Sequence, residues 1–277
     1  MFMLDLFLRA VGNADAIKAE FEVAAEVMST EARQALNEFV NWVEAKASIC
    51  INTKLLIVIQ LLNGKSYQNT YEWAAELSVL SGRPIEHLLR ERLRDFYHRR
   101  VTFDHAFDEG EQFRYGALNA GGPGVTQYDP YCVVLKQNFG STARKVACLP
   151  GDSLKIGFST DGHFNPECVT ESAAPYFLRH LLVGKERASE IFGSKREDWW
   201  KLVVSPDRYF EIIFVGDVSL KSVKCVRVTQ DEYYGKWELA FLNLGVRRTE
   251  AERALVSDFI ELRRAVLEGR VKLEVLP

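Results

Sequence analysis

Apolar residues recur at helical spacing through the first hundred positions. Ala14–Val27 is rich in Ala and Glu. Ser29 and Thr30 offer an N-cap, and Leu36, Phe39, Val40 and Val43 then repeat every three to four residues. Asn63-Gly64 marks a turn, and Thr70 precedes a helix carrying Tyr71, Trp73, Ala74 and Leu77. Gly82-Arg83-Pro84 ends that helix and starts another, whose apolar face is Ile85, Leu88, Leu89 and Leu93. Arg90, Arg92, Arg94, Arg99 and Arg100 lie along or just beyond it. After about residue 100 the pattern changes to short apolar or β-branched runs: 101–103, 131–136, 145–149, 154–158, 201–204, 210–215 and 223–228. Turns such as Gly122-Pro123-Gly124, Pro150-Gly151-Asp152 and Ser205-Pro206-Asp207 separate many of them. A helix near 175–192 interrupts the strands. Thr249 and Glu252 form a capping box that opens a last helix running to about Leu267, before Gly269. The expected fold is α+β, with a helical lobe over 1–98 and a strand-rich domain over 99–277.

Composition changes this picture only by exclusion. With 277 residues, 47% of them apolar and 26% charged, the chain has enough apolar surface to fold. The formal net charge of −3 argues against broad capture of a nucleic acid. No run reaches 18 apolar residues, so no membrane span is expected. The N-terminal MFMLDLFLRAVG is interrupted by Asp5 and Arg9 and reads as a helix start, without the features of a secretory signal peptide.

Several familiar site motifs fail on inspection. Gly64-Lys65-Ser66 ends like a phosphate-binding loop, but Ile59 stands where its first glycine must turn the chain. Gly121, Gly122 and Gly124 lack the third glycine of a dinucleotide fingerprint, which is Gln127 here. Gly157-Phe158-Ser159-Thr160-Asp161 lacks the last glycine of a nucleophile elbow. The five cysteines include no CxxC, and there is no HExxH, so no metal site is expected. Free thiols in a reducing compartment are the simple reading of such cysteines.

Three segments carry the remaining chemistry. They are Arg114-Tyr115-Gly116-Ala117-Leu118-Asn119, then Gly151-Asp152-Ser153, then Tyr209-Phe210-Glu211-Ile212-Ile213-Phe214-Val215-Gly216-Asp217. In the third, a carboxylate heads an apolar run. Strand side chains alternate faces, so Glu211 is either an outward residue or a buried acid that needs a partner or ligand.

These segments resemble, in order, parts of bacterial mono-ADP-ribosyltransferase-like domains, over about residues 100–230. The resemblance implies a split β-sandwich of the ADP-ribosyltransferase type following the helical lobe. It implies NAD as co-substrate, Glu211 as the catalytic glutamate, Arg114 as the holder of the NAD pyrophosphate, and Ser153 as the serine that buttresses the site. Ser159 and Thr160 are rivals for the serine, and Arg99 or Arg100 for the phosphate contact. Tyr115 and Gly116 would grip the nicotinamide amide, with Asn119 among the cofactor contacts. The family's arginine-modifying members carry Gln or Glu two residues before the glutamate, where this chain has Tyr209. The implied acceptor is therefore another side chain, presented by 204–210 with Tyr209 or Phe210 in contact. Secreted effectors that modify threonine of host ubiquitin are the nearest class, which implies action in a host cytosol. Two readings compete: a catalytically degenerate binding module of the same fold, and a cysteine hydrolase pairing Cys132, Cys148 or Cys168 with His105, His163 or His180. A free NAD glycohydrolase is a further possibility within the enzyme class.

Overall fold

The computed structural model describes residues 3–142, 145–242 and 248–277. In chain order, helices α1 (Leu6–Gly12), α2 (Ala14–Glu26) and α3 (Thr30–Lys46) lead into strand β1 (Ser48–Thr53). Helices α4 (Leu55–Leu62), α5 (Thr70–Ser81), α6 (Ile85–Leu93) and α7 (Tyr97–His105) follow. Strands β2 (Arg114–Asn119), β3 (Tyr131–Leu135) and β4 (Lys145–Leu149) precede the short helix α8 (Ser153–Gly157). Next come β5 (Ala174–Pro175), α9 (Arg179–Ile191), α10 (Trp199–Val203), β6 (Glu211–Val215) and β7 (Val223–Thr229). Helix α11 (Glu250–Leu267) and β8 (Leu273–Leu276) close the chain.

The fold is α+β, with an eight-stranded sheet ordered β5-β4-β6-β2-β1-β3-β7-β8. Its neighbours are antiparallel except β7 and β8. The caps follow local chemistry. Ser29 accepts the Ala32 amide at the head of α3, and Thr249 with Glu252 forms the expected capping box on α11. A second capping box joins Asn69 and Glu72 at the start of α5, one residue earlier than Thr70 suggests.

Four expectations change. Residues 48–53 form β1, a central strand, so the first hundred residues do not make a purely helical lobe, and the 98/99 boundary falls inside α7. Ser-Ile-Cys-Ile-Asn-Thr is short, and its β-branched residues declare a strand only once both flanks are paired. The runs 101–103, 154–158 and 201–204 lie mainly in helices α7, α8 and α10. Three to five apolar residues do not define a period. In α8 the Asp152 carboxylate accepts the Leu154 amide, and in α10 Trp199 and Val203 are buried one turn apart.

Strand alternation divides the core. Ile49, Ile51, Leu118, Val133, Ile212 and Phe214 pack toward α2, α3, α4, α9 and α11. The opposite face is built in two ways. At the β4–β6 end, Ala147, Leu149 and Ile213 meet a cluster from α1, α7 and the turn after α7 that includes Leu6, Phe7, Phe103 and Phe107. In the centre its strand residues are Cys50, Ala117, Cys132, Val134 and Cys225.

Past Cys50–Ala117 the two central strands diverge. Arg114–Ala117 remain paired with β6, while Cys50–Thr53 pair with β3. A fork opens between them.

Candidate functional site

A cavity of about 250 Å³ occupies this fork. Asn52 stands on one prong and Arg114–Ala117 on the other, and the α5–α7 segment walls the space with Asn69, Tyr71, Arg92, Arg100 and Asp104. Tyr128, Tyr209 and Glu211 complete it.

Glu211 is 4% exposed, so it is the buried acid and not the outward residue. The register sets it opposite Ala117 on β2 and Leu149 on β4. Ala117 is small enough to leave the carboxylate facing the cavity. The Ser153 amide, at the first position of α8, donates to Glu211 Oε2 at 2.8 Å. The free amides of a helix start suit a carboxylate. Burial nonetheless raises the Glu211 carboxyl to about 7, against the pull of the Arg100 charge and the Ser153 groups.

A second acid lies in the same wall. Asp104 is 1% exposed and accepts hydrogen bonds from the hydroxyls of Tyr115 and Tyr71, the latter at 3.0 Å. Burial pushes its carboxyl up to about 6, partly offset by Arg100 and the two tyrosine bonds. Arg100 stacks its guanidinium 3.7 Å above the centre of the Tyr115 ring.

The raised carboxyls define the pH response. Both fold-state values lie above the ordinary ones, 4.5 for Glu211 and 3.8 for Asp104. The folded chain therefore holds protons that the unfolded chain has released. The stability this supplies is complete below the unfolded values and is lost as pH rises to about 7. Each titrating proton contributes a slope of at most about 1.4 kcal/mol per pH unit. Urea midpoints measured from pH 4 to 8 should fall less steeply for Glu211→Gln than for the wild type. Parallel curves would show that Glu211 does not titrate in this window.

Arg114 is also at the cavity, but its guanidinium is engaged. It is 4% exposed, donates to both oxygens of Glu72 at 2.7 Å, and reaches the Tyr67 carbonyl at 3.4 Å. Glu72 also closes the α5 capping box through the Asn69 amide at 2.9 Å. One carboxylate thus ties the start of α5 to β2.

Tyr115 and Gly116 line the cavity. A side chain at Gly116 would bring its Cβ within 2.5 Å of the Cys50 carbonyl oxygen, so the fork itself requires glycine here. Asn119 lies outside the cavity lining. Its amide donates to the Gly122 carbonyl and its oxygen accepts the Gly121 amide, both at 2.8 Å, and Arg227 donates to that same oxygen at 3.2 Å. Asn52 holds the same loop from the other side, bonded to Pro123, Asp129 and Val125. The pinned loop carries Tyr128, whose hydroxyl meets that of Tyr209 at 2.6 Å.

Ser153 is buried and meets Glu211 through its backbone amide, its hydroxyl having no partner among the described residues; it lies outside the cavity lining, as do Ser159 and Thr160, which are exposed. The Ser159 hydroxyl bonds locally to Asp161 and to the His163 carbonyl. Tyr209 faces the cavity, while its neighbour Phe210 is fully buried in the helix-side core under Arg187. Arg99 is exposed beside Phe158, away from the site, whereas Arg100 lines it.

Sequence reasoning missed Asp104, Tyr71, Asn52 and Tyr128. One signal was present: Arg100 and Asp104 are spaced i, i+4, which places them on one face of a helix. Reading 101–103 as a strand hid it.

The cysteine alternative gains nothing from the geometry. Burial raises the Cys148 thiol to about 12 and the Cys132 thiol well above its ordinary value, opposite to activation. Cys168 is exposed, and no cysteine–histidine hydrogen bond occurs among the described residues. Among those residues there is also no group of three or more His, Cys, Asp or Glu side chains able to hold a metal, and no helix long and apolar enough to cross a membrane. No family model matches the sequence, and no curated protein matches it in a sequence comparison.

Proposed function

We propose that the chain is an NAD-dependent mono-ADP-ribosyltransferase that modifies a protein side chain, with the fork as the site of NAD cleavage. The observation that carries this reading is the hydrogen bond from the Ser153 backbone amide to Glu211, the buried acid of an arginine- and tyrosine-lined cavity. It joins two of the three segments that resemble the family, and the third, RYGALN, supplies the wall opposite. On this reading the fork corresponds to the split between the two halves of a transferase β-sandwich.

Cleaving the nicotinamide–ribose bond develops positive charge on the ribose. A fixed carboxylate facing that charge stabilises the transition state. Glu211 in its ionised form supplies it, so the rate of nicotinamide release should rise with pH through about 7. The tyrosines around it stay protonated, since burial raises the hydroxyls of Tyr115 and Tyr209. They act as neutral hydrogen-bonding walls. The cavity volume is below the usual pocket range of roughly 300–1,000 Å³. It is too small for the whole dinucleotide, so on this reading the adenosine end lies at the mouth.

On this reading the buried Tyr209 and the half-exposed Tyr128, joined by their hydroxyls, flank the approach of an acceptor to Glu211. A tyrosine pair offers no carboxylate or amide to orient a guanidinium, which favours a hydroxyl acceptor such as a threonine. Host ubiquitin is the target class proposed, and a host cytosol the place of action.

One observation favours the degenerate alternative: Arg114 is held by Glu72. Incubation with labelled NAD and a eukaryotic lysate separates the readings. Labelled protein supports the transferase. Nicotinamide release without labelling supports a glycohydrolase, and neither product supports a binding module.

A further inference from the structure

Five arginines lie between residues 90 and 100, and two of them line the cavity. Arg100 is the deeper. Its side chain is 14% exposed, and its Nη1 is buried without a hydrogen-bond partner. The nearest carboxylate, Asp104, stands off at 3.9 Å, with both of its oxygens already bonded to Tyr115 and Tyr71. Tyr115 offers Arg100 a ring face, which attracts the cation but leaves Nη1 without an acceptor. A buried guanidinium left this way is costly unless an anion completes it.

Arg92 lies nearer the rim. Its guanidinium rests 4.5 Å over the Trp73 ring, and no carboxylate pairs with it among the described residues. Arg114 contrasts with both, because Glu72 already takes it by two 2.7 Å bonds. A phosphate at Arg114 would have to displace Glu72 and open the α5 capping box.

We propose that Arg100, continued outward by Arg92, holds the diphosphate of the dinucleotide, and that Arg114 is a structural residue joining β2 to α5. The proposal rests on the NAD reading given above. It makes the α6–α7 segment a working wall of the site: α7 places Arg100 beside Glu211, and α6 places Arg92 at the mouth.

The test is calorimetric titration of the full chain with NAD and with ADP-ribose, which shares the diphosphate but lacks nicotinamide. Arg100→Gln should weaken both ligands by about 10–100-fold, the worth of charge-assisted hydrogen bonds. Arg114→Lys should bind both within about threefold of wild type, a margin well below one lost charge-assisted bond. If Arg114→Lys loses affinity and Arg100→Gln does not, the assignment is overturned and the NAD reading stands. If Arg100→Gln weakens NAD but not ADP-ribose, Arg100 acts on the nicotinamide end, which also overturns it. If Arg100→Gln does not fold, the exposed Arg92 decides: Arg92→Gln should weaken ADP-ribose about fivefold, roughly 1 kcal/mol, and a change below twofold overturns the proposed track. If the wild type binds neither ligand, the NAD reading fails and this assignment fails with it.

Discussion

Glu211→Gln is expected to slow NAD cleavage by about 10²–10³, the usual cost of removing one preorganised charge-stabilising group. Glutamine keeps the shape of the side chain and an oxygen for the Ser153 amide, which now donates to Glu211 at 2.8 Å. The fold should therefore survive while the negative charge is lost. Nicotinamide release and automodification, followed with labelled NAD, are the readouts. A variant that matches wild type in both would remove Glu211 from the chemistry. The pH profile supplies a second check, since the wild-type rate should climb through about 7 and the residual rate of the variant should lose that step.

Phe103→Ala is expected to cost about 3–5 kcal/mol of stability, in the range for deleting a fully buried aromatic ring. Phe103 is 0% exposed. Its ring lies 5.0 Å from that of Phe107, 5.8 Å from Phe164 and 6.4 Å from Tyr115. This cluster seats α7 on the sheet. The same helix carries Arg100 and Asp104, so the loss should also loosen the wall of the cavity and weaken NAD binding. Urea unfolding gives the first quantity and calorimetry the second. A midpoint shift worth less than about 1 kcal/mol would mean that α7 is not held by this ring.

These expectations place the proposed site in a defect of the sheet. A continuous β1–β2 ladder would bring the Cys50–Thr53 and Arg114–Ala117 backbones together and close the cavity. The fork keeps them apart, and Asn52 keeps it ordered by bonding the loop that carries Tyr128. The acid at its base is buried because β4 and β6 pair on one side and Ala117 lies on the other.

Much of the secondary structure was legible where a period or a cap was long enough to read. Helix α3 follows from Leu36, Phe39, Val40 and Val43, and α11 from the Thr249–Glu252 box. Strands β3, β4, β6 and β7 follow from dense apolar runs between turns. The short runs misled, since Val101-Thr102-Phe103 suits a strand as well as a turn of helix. Strand β1 escaped because an isolated six-residue segment among helices gains its identity from neighbours distant in sequence.

The sequence by itself determined the class of fold and the chemical character of one residue, Glu211, since a carboxylate leading Ile-Ile-Phe-Val needs either solvent or a partner. Tertiary structure decided which of these it has. It also decided between arginines that look alike in a sequence: Arg114 meets Glu72, 42 positions away in the chain, and Arg100 meets a tyrosine ring and an open cavity. The physical reason is that local sequence sets backbone propensity and side-chain type. Burial, pairing and the free valence of a charged group depend on contacts between segments far apart in the chain, and those contacts make the site.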